Sequence, residues 1–389
     1  MNNTPDGQIV VSIGLLARNE EASLPGALAT LFRQSIFAEL ERRGLRAEIW
    51  LVANACTDDT AAVAERIFHE QSATHPQRAS FFAHAVSVTT PGKINAWNLF
   101  VHEISTHEAR SLILMDADIL LGPDSTLWNL YQGLEDNAIA QVTVGEVFKD
   151  LAAKSSPSLR ERISLGTSQL TQSSKAQLTG QLYCIRAETA RKIRLPRDLA
   201  ACEDGFIKNL VCTDFLLKES NPDRILKVAG ASHTFEAYKT AGAILRNQKR
   251  QMIGQTFVHV LVDSYLPSLC ARNGQSPAET IARLDEEDPQ WLRNLISQHV
   301  REARHFWQLF PGVCTFRLKR WSAQRGWQKV RHLPATLVGS GVTVVAAWLA
   351  YSSLRQGLLE YWPIKPSRSD GLPPDPLAGG FGHPQAAAF

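Results

Sequence analysis

The sequence lacks several features that would assign it quickly to a class of protein. Its six cysteines are scattered without a C-x-x-C pair, so their spacing offers neither a zinc site nor a disulfide framework and predicts a reducing cytosol. The N-terminal segment MNNTPDGQ is polar and has no features of a signal peptide, so we expect any catalytic part to face the cytoplasm. The net charge is only +3, which is too small to indicate nucleic acid as a partner, and no internal repeat is visible.

What the sequence does have is a regular alternation of apolar runs and amphipathic segments from residue 8 onward. We predict strands in QIVVSIGLL, AEIWLVAN, ASFFAHAVS and SLILMDADI, with helices in the segments between them. This alternation predicts an α/β fold, with a mainly parallel sheet flanked by helices and right-handed crossovers. The polar clusters ARNEE, NACTDDT and DADI all follow strands. Ligands of such sheets bind at the carboxyl ends of the strands, so we expect a site there.

The stretch LILMDADILLGPDSTL, residues 112–127, joins an apolar run directly to two carboxylates. Side chains alternate along an extended chain, so we expect Asp116 and Asp118 to point to the same side of the strand. Two like charges repel there unless a positive charge lies between them. A D-x-D pair at a buried strand end suits Mg²⁺ or Mn²⁺, which prefer carboxylate oxygens together with substrate phosphates. An exposed acidic turn is the ordinary alternative for so short a pattern.

Several segments, in order along the chain, resemble glycosyltransferase family 2, whose members have the GT-A nucleotide-diphospho-sugar transferase fold. The segments are VSIGLLARNEEASL, EIWLVANACTDDTAAVA, GKINAWN, MDADI and TGQLYCIRAETARKIRLPRDLAACEDGFI, and the resemblance covers about residues 8–255. It implies a hexosyltransferase-type enzyme that moves a sugar with inversion from a UDP- or GDP-sugar donor to a hydroxyl acceptor. The acceptor would be lipid-linked or a glycan, and Mg²⁺ or Mn²⁺ would be the cofactor.

The resemblance also implies roles for individual residues. Asp204 would be the general base that takes the proton of the acceptor hydroxyl as it attacks the anomeric carbon. Asp118 would be the direct metal ligand, and Glu203 and Arg250 would lie near the acceptor or the diphosphate. Asp116 would contact both ribose and metal, and Asn98 would support the loop of Lys93. The residues expected to bind the nucleotide-sugar are Ala17, Asn19, Glu20, Asn54, Asp58, Lys93, Asn98 and Asp116.

Several of these side chains have a purely structural alternative. Glu20 and Asp58 could serve the first turns of helices, and Asp204 could cap the helix that begins at GFIKNL. Lys93 could be a solvated loop lysine. His233 could be a third metal ligand, although a lone histidine is more often structural.

Two positions depart from the family pattern. Ala53 stands where the family commonly has Asp, so the usual carboxylate contact to the base is missing and the resemblance leaves the nucleotide open. The processive members carry Q-x-x-R-W, and the nearest match here, NQKRQ at residues 247–251, keeps only Arg250. We therefore predict one sugar added per encounter.

The C-terminal third is helical and basic in character. We predict a GT-A domain over residues 1–240, a basic and aromatic helical extension over 241–332, and a disordered Pro/Gly-rich tail over 355–389. Residues 333–354 contain no charge and are about long enough to cross a bilayer, which needs roughly 20 apolar residues. The flanking basic residues and tryptophans favour membrane association, with single-pass insertion ahead of surface attachment. A buried helix is the alternative for this segment.

Two other functions stay open at this point. A nucleotidyltransferase shares the sheet and the metal carboxylates, but it would need a Gly-rich phosphate loop where this chain has ARNEE. A non-catalytic sugar-nucleotide-binding or membrane scaffold protein would have lost metal or base positions, yet Asp116, Asp118 and Asp204 are all present. The favoured hypothesis is a glycosyltransferase at the cytoplasmic face of the inner or plasma membrane, in cell-envelope polysaccharide or glycolipid synthesis.

Overall fold

The computed structural model describes residues 7–150, 177–237, 240–310, 312, 315–324 and 326–357. Within these residues eight strands form one sheet, in the order β3-β2-β1-β4-β7-β6-β8-β5. The strands are β1 (Gln8–Ala17), β2 (Leu45–Asn54), β3 (Phe81–Val88), β4 (Ser111–Asp116), β5 (Leu120–Leu121), β6 (Val142–Lys149), β7 (Leu182–Arg186) and β8 (Ile225–Phe235). The first four agree with the predicted strands to within a few residues.

The sheet is parallel where the sequence predicts it to be. β1 pairs in parallel with β2 and β4, and β2 pairs in parallel with β3. The carboxyl ends of these strands therefore meet along one edge, where the register places Ala17 beside Ala53 and Leu16 beside Asp116. β7 runs antiparallel to both β4 and β6, so the sheet is mixed beyond β4. The predicted α/β class is confirmed.

Helices cover both faces of the sheet. Those of the first half are α1 (Leu24–Phe32), α2 (Ile36–Arg42), α3 (Thr60–Thr74), α4 (Lys93–Leu99) and α5 (Thr126–Glu135). Those that follow are α6 (Ala187–Arg191), α7 (Glu203–Cys212), α8 (Ala241–Val260), α9 (Leu266–Asn273), α10 (Pro277–Glu287), α11 (Trp291–Glu302), α12 (Phe306–Leu309), α13 (Phe316–Ser322) and α14 (Trp327–Arg355). The π-helical turns Phe100–Ile104 and Leu261–Tyr265 continue α4 and α8.

The unbroken apolar run of β1 follows from its position in the middle of the parallel part. Leu15 packs on one face of the sheet in a cluster with Leu28 of α1. Leu16 packs on the other face with Trp97 of α4 and Phe257 of α8. A strand buried on both faces requires apolar residues at consecutive positions rather than in alternation.

The C-terminal helices share the core of the sheet. One continuous apolar cluster joins Leu16 to Phe257 of α8, Trp291 of α11 and Ala350 of α14, so the core crosses the predicted boundaries at residues 240 and 332. Gly254 brings the backbone of α8 close to the segment before α7, because a Cβ there would lie 2.7 Å from the carbonyl carbon of Ala201. This close approach fixes the segment that leads into Glu203 and Asp204.

Helix α14 contains the predicted apolar segment but begins earlier, at Trp327. An 18-residue stretch within its part His332–Arg355 has a mean hydropathy of 1.7, so by length and composition alone the helix could cross a membrane. In this structure 35% of that stretch is buried against the rest of the protein. From residue 358 onward, the predicted tail lies outside the described residues.

Candidate active site

The loops that follow β1, β2 and β3 are joined by side-chain hydrogen bonds at the carboxyl edge of the sheet. Asn19 Nδ2 donates to Thr57 Oγ1 (3.1 Å), and Thr57 N donates to Asn19 Oδ1 (2.8 Å). Asn54 Nδ2 donates to Thr90 O (2.8 Å), and Asn54 Oδ1 accepts from Gly92 N (2.6 Å). The buried Asn54 amide thus anchors the loop before α4, and its predicted contact with a nucleotide stays a prediction.

Three residues next to predicted site residues have backbone in the left-handed region. Their φ angles are 55° at Asn19, 48° at Ala55 and 63° at Cys202. Asparagine tolerates this conformation, whereas alanine and cysteine adopt it at a cost of about 1 kcal/mol or more each. Strained backbone of this kind clusters at functional sites, which agrees with a site at this edge.

Glu20 and Asp58 are engaged at the starts of helices. Asp58 Oδ1 accepts a hydrogen bond from Thr60 N (3.1 Å), which is the first residue of α3. Glu20 is 9% exposed and accepts from Ser23 Oγ just before α1. The structural alternative accounts for these contacts, and the predicted role of both carboxylates in nucleotide binding stays a prediction.

Asn98 supports a different segment from the one predicted. Its Nδ2 donates to Leu195 O (2.9 Å), and its Oδ1 accepts from Leu195 N (3.0 Å). It therefore holds the segment that leads to α7 and not the loop of Lys93. Ala17 is fully buried at the end of β1, beside Ala53, so it can offer a ligand little beyond its backbone.

A buried lysine supplies the positive charge that the two carboxylates of D-x-D require. Lys93, the first residue of α4, has its Nζ 2.8 Å from Asp116 Oδ1 and 3.0 Å from Glu203 Oε1. The Lys93 ammonium also donates a hydrogen bond to Gly180 O (3.0 Å). Among the described residues, the buried Asp116 Oδ1 has no donor besides this ammonium, so it can accept a further ligand. The alternative of a solvated loop lysine does not describe this side chain.

Gly180 is a site residue that the sequence did not single out. A Cβ at this position would lie 2.8 Å from Glu203 Oε1 and 3.5 Å from Lys93 Nζ, so a side chain would displace the ion pair. The only signal in the sequence was its place in the TGQ triplet, at the start of the predicted acceptor region.

The placement of Asp118 corrects one expectation. β4 ends at Asp116, and Asp118 lies in the turn that follows, so strand alternation does not orient the pair. The two carboxylates still interact, because Asp118 contributes to the raised pKa of Asp116. The charge of Asp118 is also felt by His233 on β8, whose Nε2 lies 3.2 Å from Gln181 Oε1. Burial lowers the pKa of His233 to about 4, so the ring is neutral, the form that can bind a metal.

Burial and charge set the protonation of the other acids. Burial raises the pKa of Asp116 to about 7 against the effect of Lys93, and Asp118 adds to the rise. Burial raises the pKa of Asp204 to about 6, helped by the charge of Glu203. The pKa of Glu203 is lowered instead, because the effect of burial, which would raise it, is outweighed by the Lys93 ammonium together with a backbone hydrogen bond and the charge of Arg250. Neighbouring carboxylates with opposite pKa shifts are the pattern of an acid–base site.

A cleft of about 530 Å³ opens beside this cluster and reaches it at Lys93 and Glu203. Arg250 of α8 lines it, and its predicted place near the acceptor or the diphosphate stays a prediction. Sequence reasoning missed four further arginines of the lining, which are Arg18, Arg194, Arg197 and Arg293. No local pattern marks them, because the fold collects them from separate segments.

The side chains at the end of β4 fit a hard divalent cation. Asp116 and Asp118 supply carboxylate oxygens, and the buried Asp116 Oδ1 has no donor besides Lys93 among the described residues. Among the described residues, no group of three His, Cys, Asp or Glu side chains is arranged to hold a metal ion. Such a site would therefore take its remaining ligands from substrate phosphates and water, which is how Mg²⁺ is usually bound.

Replacing Lys93 should reveal how strongly the buried ion pair contributes to stability. Lys93→Met leaves Asp116 and Glu203 without their cation, and losing one partner of a buried pair costs about 3 kcal/mol of unfolding free energy. Denaturant unfolding of the full chain measures this loss. Lys227→Met is the matched control, because Lys227 pairs with Glu146 at 2.8 Å on the surface, where a pair is worth about 1 kcal/mol or less. Equal losses in the two variants would contradict the ion-pair assignment.

The fold is of the GT-A type. Residues 12–187 match the family model described as Glycosyl transferase family 2. Over these residues the resemblance seen in the motifs is confirmed, and this part of the chain has the sequence of a glycosyltransferase domain. No curated protein matches the chain.

One of the similar solved structures supports the fold. The chain is similar to the mannosyltransferase PcManGT from Pyrobaculum calidifontis, in complex with GDP-Man and Mn²⁺, with a TM-score of 0.50 and 15% identity over 92% of this chain and 89% of that one. It also resembles S. aureus TarS 1–349, with a TM-score of 0.43 and 14% identity over 90% and 92% of the two chains. A third is glucosyl-3-phosphoglycerate synthase from Mycobacterium tuberculosis, with a TM-score of 0.41 and 16% identity over 64% and 79%.

Proposed function

We propose that the protein transfers one sugar per encounter, with inversion, from a UDP- or GDP-sugar to a hydroxyl of a lipid-linked or glycan acceptor. The observation that carries this proposal is the cluster of Lys93, Asp116, Glu203 and Gly180 at the carboxyl edge of the parallel strands. It places acidic groups suited to a metal–diphosphate complex next to Asp204, a carboxylate with the properties of a base.

In this proposal, Asp204 is the base and Glu203 is not. A catalytic base works best when its pKa lies near the working pH, and the pKa of Asp204 is raised to about 6. The pKa of Glu203 is lowered because its charge is committed to Lys93. The acceptor oxygen forms its bond to the anomeric carbon while the bond to the diphosphate oxygen breaks, and Asp204 takes the hydroxyl proton. The nucleoside diphosphate leaves on the opposite face of the sugar.

The cofactor of this proposal is Mg²⁺ or Mn²⁺, which Asp118 and Asp116 would hold. A divalent cation there supplies positive charge to a leaving diphosphate. His233 is a further possible ligand of the same site, since its neutral ring is close enough to feel the charge of Asp118. The protein's own contribution is to keep Lys93 beside Asp116, which balances the buried carboxylate before the donor binds.

Donor turnover separates this function from its rivals. The full chain would be incubated with UDP-glucose or GDP-mannose and Mn²⁺, and release of the nucleoside diphosphate would be measured. A nucleotidyltransferase would instead release pyrophosphate from a nucleoside triphosphate and a sugar phosphate. A scaffold protein would bind nucleotide and release neither product, and that result would reject the transferase proposal.

We also propose that α14 attaches the enzyme to the cytoplasmic surface of a membrane. One face of the helix is packed against the protein through small residues, which are Thr336, Gly339, Thr343, Ala346, Ala347 and Ala350. The other face exposes apolar residues that are 37–58% accessible, which are Leu333, Leu337, Val338, Val344, Val345 and Trp348. Trp327 is 76% exposed at the start of α14, and the exposed Lys319 lies just before it. An apolar face with tryptophan and basic residues at one end suits the headgroup region of an anionic bilayer.

Attachment through one face predicts sensitivity to a single charge. Leu337→Asp removes a leucine from the buried lipid contact, worth about 1.5–3 kcal/mol, so partitioning should fall at least about tenfold. Co-sedimentation with vesicles of phosphatidylglycerol and phosphatidylcholine measures the effect. Leu217→Asp, at a residue that is 81% exposed elsewhere on the protein, is the control and should sediment like the parent. Membrane-bound protein that resists alkaline carbonate would instead indicate single-pass insertion.

A further inference from the structure

We propose that the acceptor carries an anionic group, a phosphate or a carboxylate, which binds to Arg194, Arg197 and Arg250 in the cleft beside Glu203. This inference rests on the proposed transfer at Asp204 and specifies the chemical class of its acceptor. It follows from an excess of positive charge in the cleft and from the way in which Arg194 is held there.

The charges of the cleft do not balance. Its cations are Arg18, Lys93, Arg194, Arg197, Arg250 and Arg293, and its anions are Glu103, Asp198, Glu203 and Asp285. Two of these anions already form close ion pairs with other cations, although the charge of Glu203 is also felt by Arg250. Asp198 accepts two hydrogen bonds from Arg293, at 2.6 and 3.0 Å, and Glu203 is paired with Lys93.

The remaining acids do not neutralise the three arginines. Asp285 is 5% exposed and accepts hydrogen bonds from Trp291 Nε1 (2.8 Å) and from the backbone N of Arg197 (3.2 Å). The Asp285 carboxylate also interacts electrostatically with Arg194 and Arg197 at longer range, so one negative charge is shared between two guanidinium groups. Within the described part of the chain, none of Arg194, Arg197 and Arg250 forms an ion pair. A bound anion would supply the missing charge.

Arg194 is held in place by the residues on either side of it. Ile193 O lies 2.9 Å from His102 Nε2, and Leu195 exchanges two hydrogen bonds with Asn98. Both Ile193 and Leu195 are fully buried, so the backbone between them is fixed. Arg194 Nε is buried and has no hydrogen-bond partner among the described residues. A buried donor without an acceptor costs free energy, and an oxyanion in the cleft would satisfy it.

The position of Arg194 distinguishes an acceptor from the donor's diphosphate. The diphosphate belongs with Asp116 and Asp118, at the end of β4. Arg194 instead adjoins Leu195, which is hydrogen-bonded to Asn98. Asn98 lies five residues after Lys93 on α4, and both residues line the cleft. At a rise of 1.5 Å per residue, this is a separation of about 7.5 Å along the helix. The acceptor would therefore hold its anionic group several bonds away from the hydroxyl that faces Asp204.

The test is calorimetric binding to the full chain, with glycerol phosphate as the charged probe and glycerol as the neutral one. The protein is first titrated with UDP and GDP in Mn²⁺, and the probes are then added with the bound nucleotide at saturation. We expect glycerol phosphate to bind and glycerol not to bind. Arg194→Gln should weaken glycerol phosphate binding about 10- to 100-fold, the worth of one charged hydrogen bond. Arg33→Gln, on an exposed side chain outside the cleft, should bind like the parent.

The outcomes separate this inference from the proposed function. Binding of neither nucleotide would count against the glycosyltransferase site itself. If the protein binds nucleotide but binds glycerol phosphate no better than glycerol, the anionic acceptor is overturned and the proposed function is not. The same conclusion follows if Arg194→Gln binds glycerol phosphate as well as the parent does. If Arg194→Gln does not fold, Arg197→Gln serves the same purpose, because that side chain is exposed.

The source of the anion is a separate arm of the same experiment. Vesicles of phosphatidylcholine with and without phosphatidic acid are compared with soluble glycerol phosphate. A preference for phosphatidic acid that is lost in Arg194→Gln would assign the group to a lipid headgroup. Binding of the soluble probe alone, with the same loss, would assign it to a small phosphorylated acceptor. Binding in both arms that ignores Arg194 would reject the site.

Discussion

Asp118→Ala is expected to abolish Mn²⁺-dependent binding of nucleoside diphosphate by the full chain. In the proposed site Asp118 is the direct metal ligand, and its loss leaves Asp116 alone at the end of β4. Asp116 is already paired with the Lys93 ammonium at 2.8 Å, so by itself it offers a metal ion a single, partly neutralised carboxylate. Loss of an outer-shell partner already costs 10–100-fold in metal affinity, so loss of a direct ligand should cost about 100-fold or more.

The measurement is calorimetric titration with UDP and GDP, in Mn²⁺ and again in EDTA. Asp124→Ala is the matched control, since Asp124 lies in the next turn with 61% of its side chain exposed and should not alter binding. Binding to one nucleotide that disappears in EDTA and in Asp118→Ala would also name the donor class. Unchanged affinity in the variant, or binding that ignores EDTA, would remove the metal-bridged donor from the proposal.

The parallel half of the fold could be predicted because its strands are buried on both faces. Apolar runs such as QIVVSIGLL show no alternation of apolar and polar residues, but their length and the helical segments between them indicate the parallel sheet. β6 and β8 are partly exposed, and β5 has only two residues, so no unbroken apolar run in the sequence indicates these strands. Their pairing is set by contacts across the sheet rather than by local pattern.

The residue types at the carboxyl edge of the sheet could be predicted from the sequence, but the contacts between these residues could not. The position of Lys93 after β3 indicated a ligand-facing lysine, whereas the structure gives it two carboxylates from distant segments and the carbonyl of Gly180. β4 ends at Asp116, three residues before the end of the predicted strand SLILMDADI, and at this last position Asp116 N bonds to Gln181 O. Long-range contacts of this kind leave no trace in a single sequence.

For α14 the sequence showed an apolar segment and could not show its two faces. The packed face consists of threonine, glycine and alanine, which have no strong hydropathy, and the exposed face carries leucine, valine and tryptophan. The uncharged part of the helix, residues 333–354, carries its bulky residues outward and resembles a membrane span in composition. Its packing in the same apolar cluster as α8 favours the proposed attachment to the surface over crossing.

Asp204→Asn is expected to lower kcat by about 10³-fold while nucleotide binding is retained. General-base catalysis contributes between about 10² and 10⁴ to a rate, and asparagine keeps the shape of the side chain without its basicity. Steady-state release of nucleoside diphosphate measures kcat, and calorimetry measures nucleotide affinity. Asp263→Asn, on an exposed side chain of the π-turn after α8, is the control and should keep the parent rate.

The stability of Asp204→Asn separates catalysis from folding. The pKa of Asp204 is raised to about 6 in the folded chain from an ordinary 3.8, so ionisation favours the unfolded chain and folding is penalised above pH 6. That penalty is reduced as pH falls from 6 and is absent below about 3.8. Asparagine carries no charge, so the variant should unfold no more easily than the parent at pH 8. A large loss of stability there would assign Asp204 to capping alone.

The pH profile decides between the two neighbouring carboxylates. A base must be deprotonated to act, so the parent rate should fall as pH drops through about 6, the raised pKa of Asp204. Glu203→Gln should lower the rate through its contact with Lys93, yet it should keep an acid limb in the profile. That limb should shift to lower pH, because the charge of Glu203 helps to raise the pKa of Asp204. Asp204→Asn should lose the limb altogether, and the reverse pattern would make Glu203 the base.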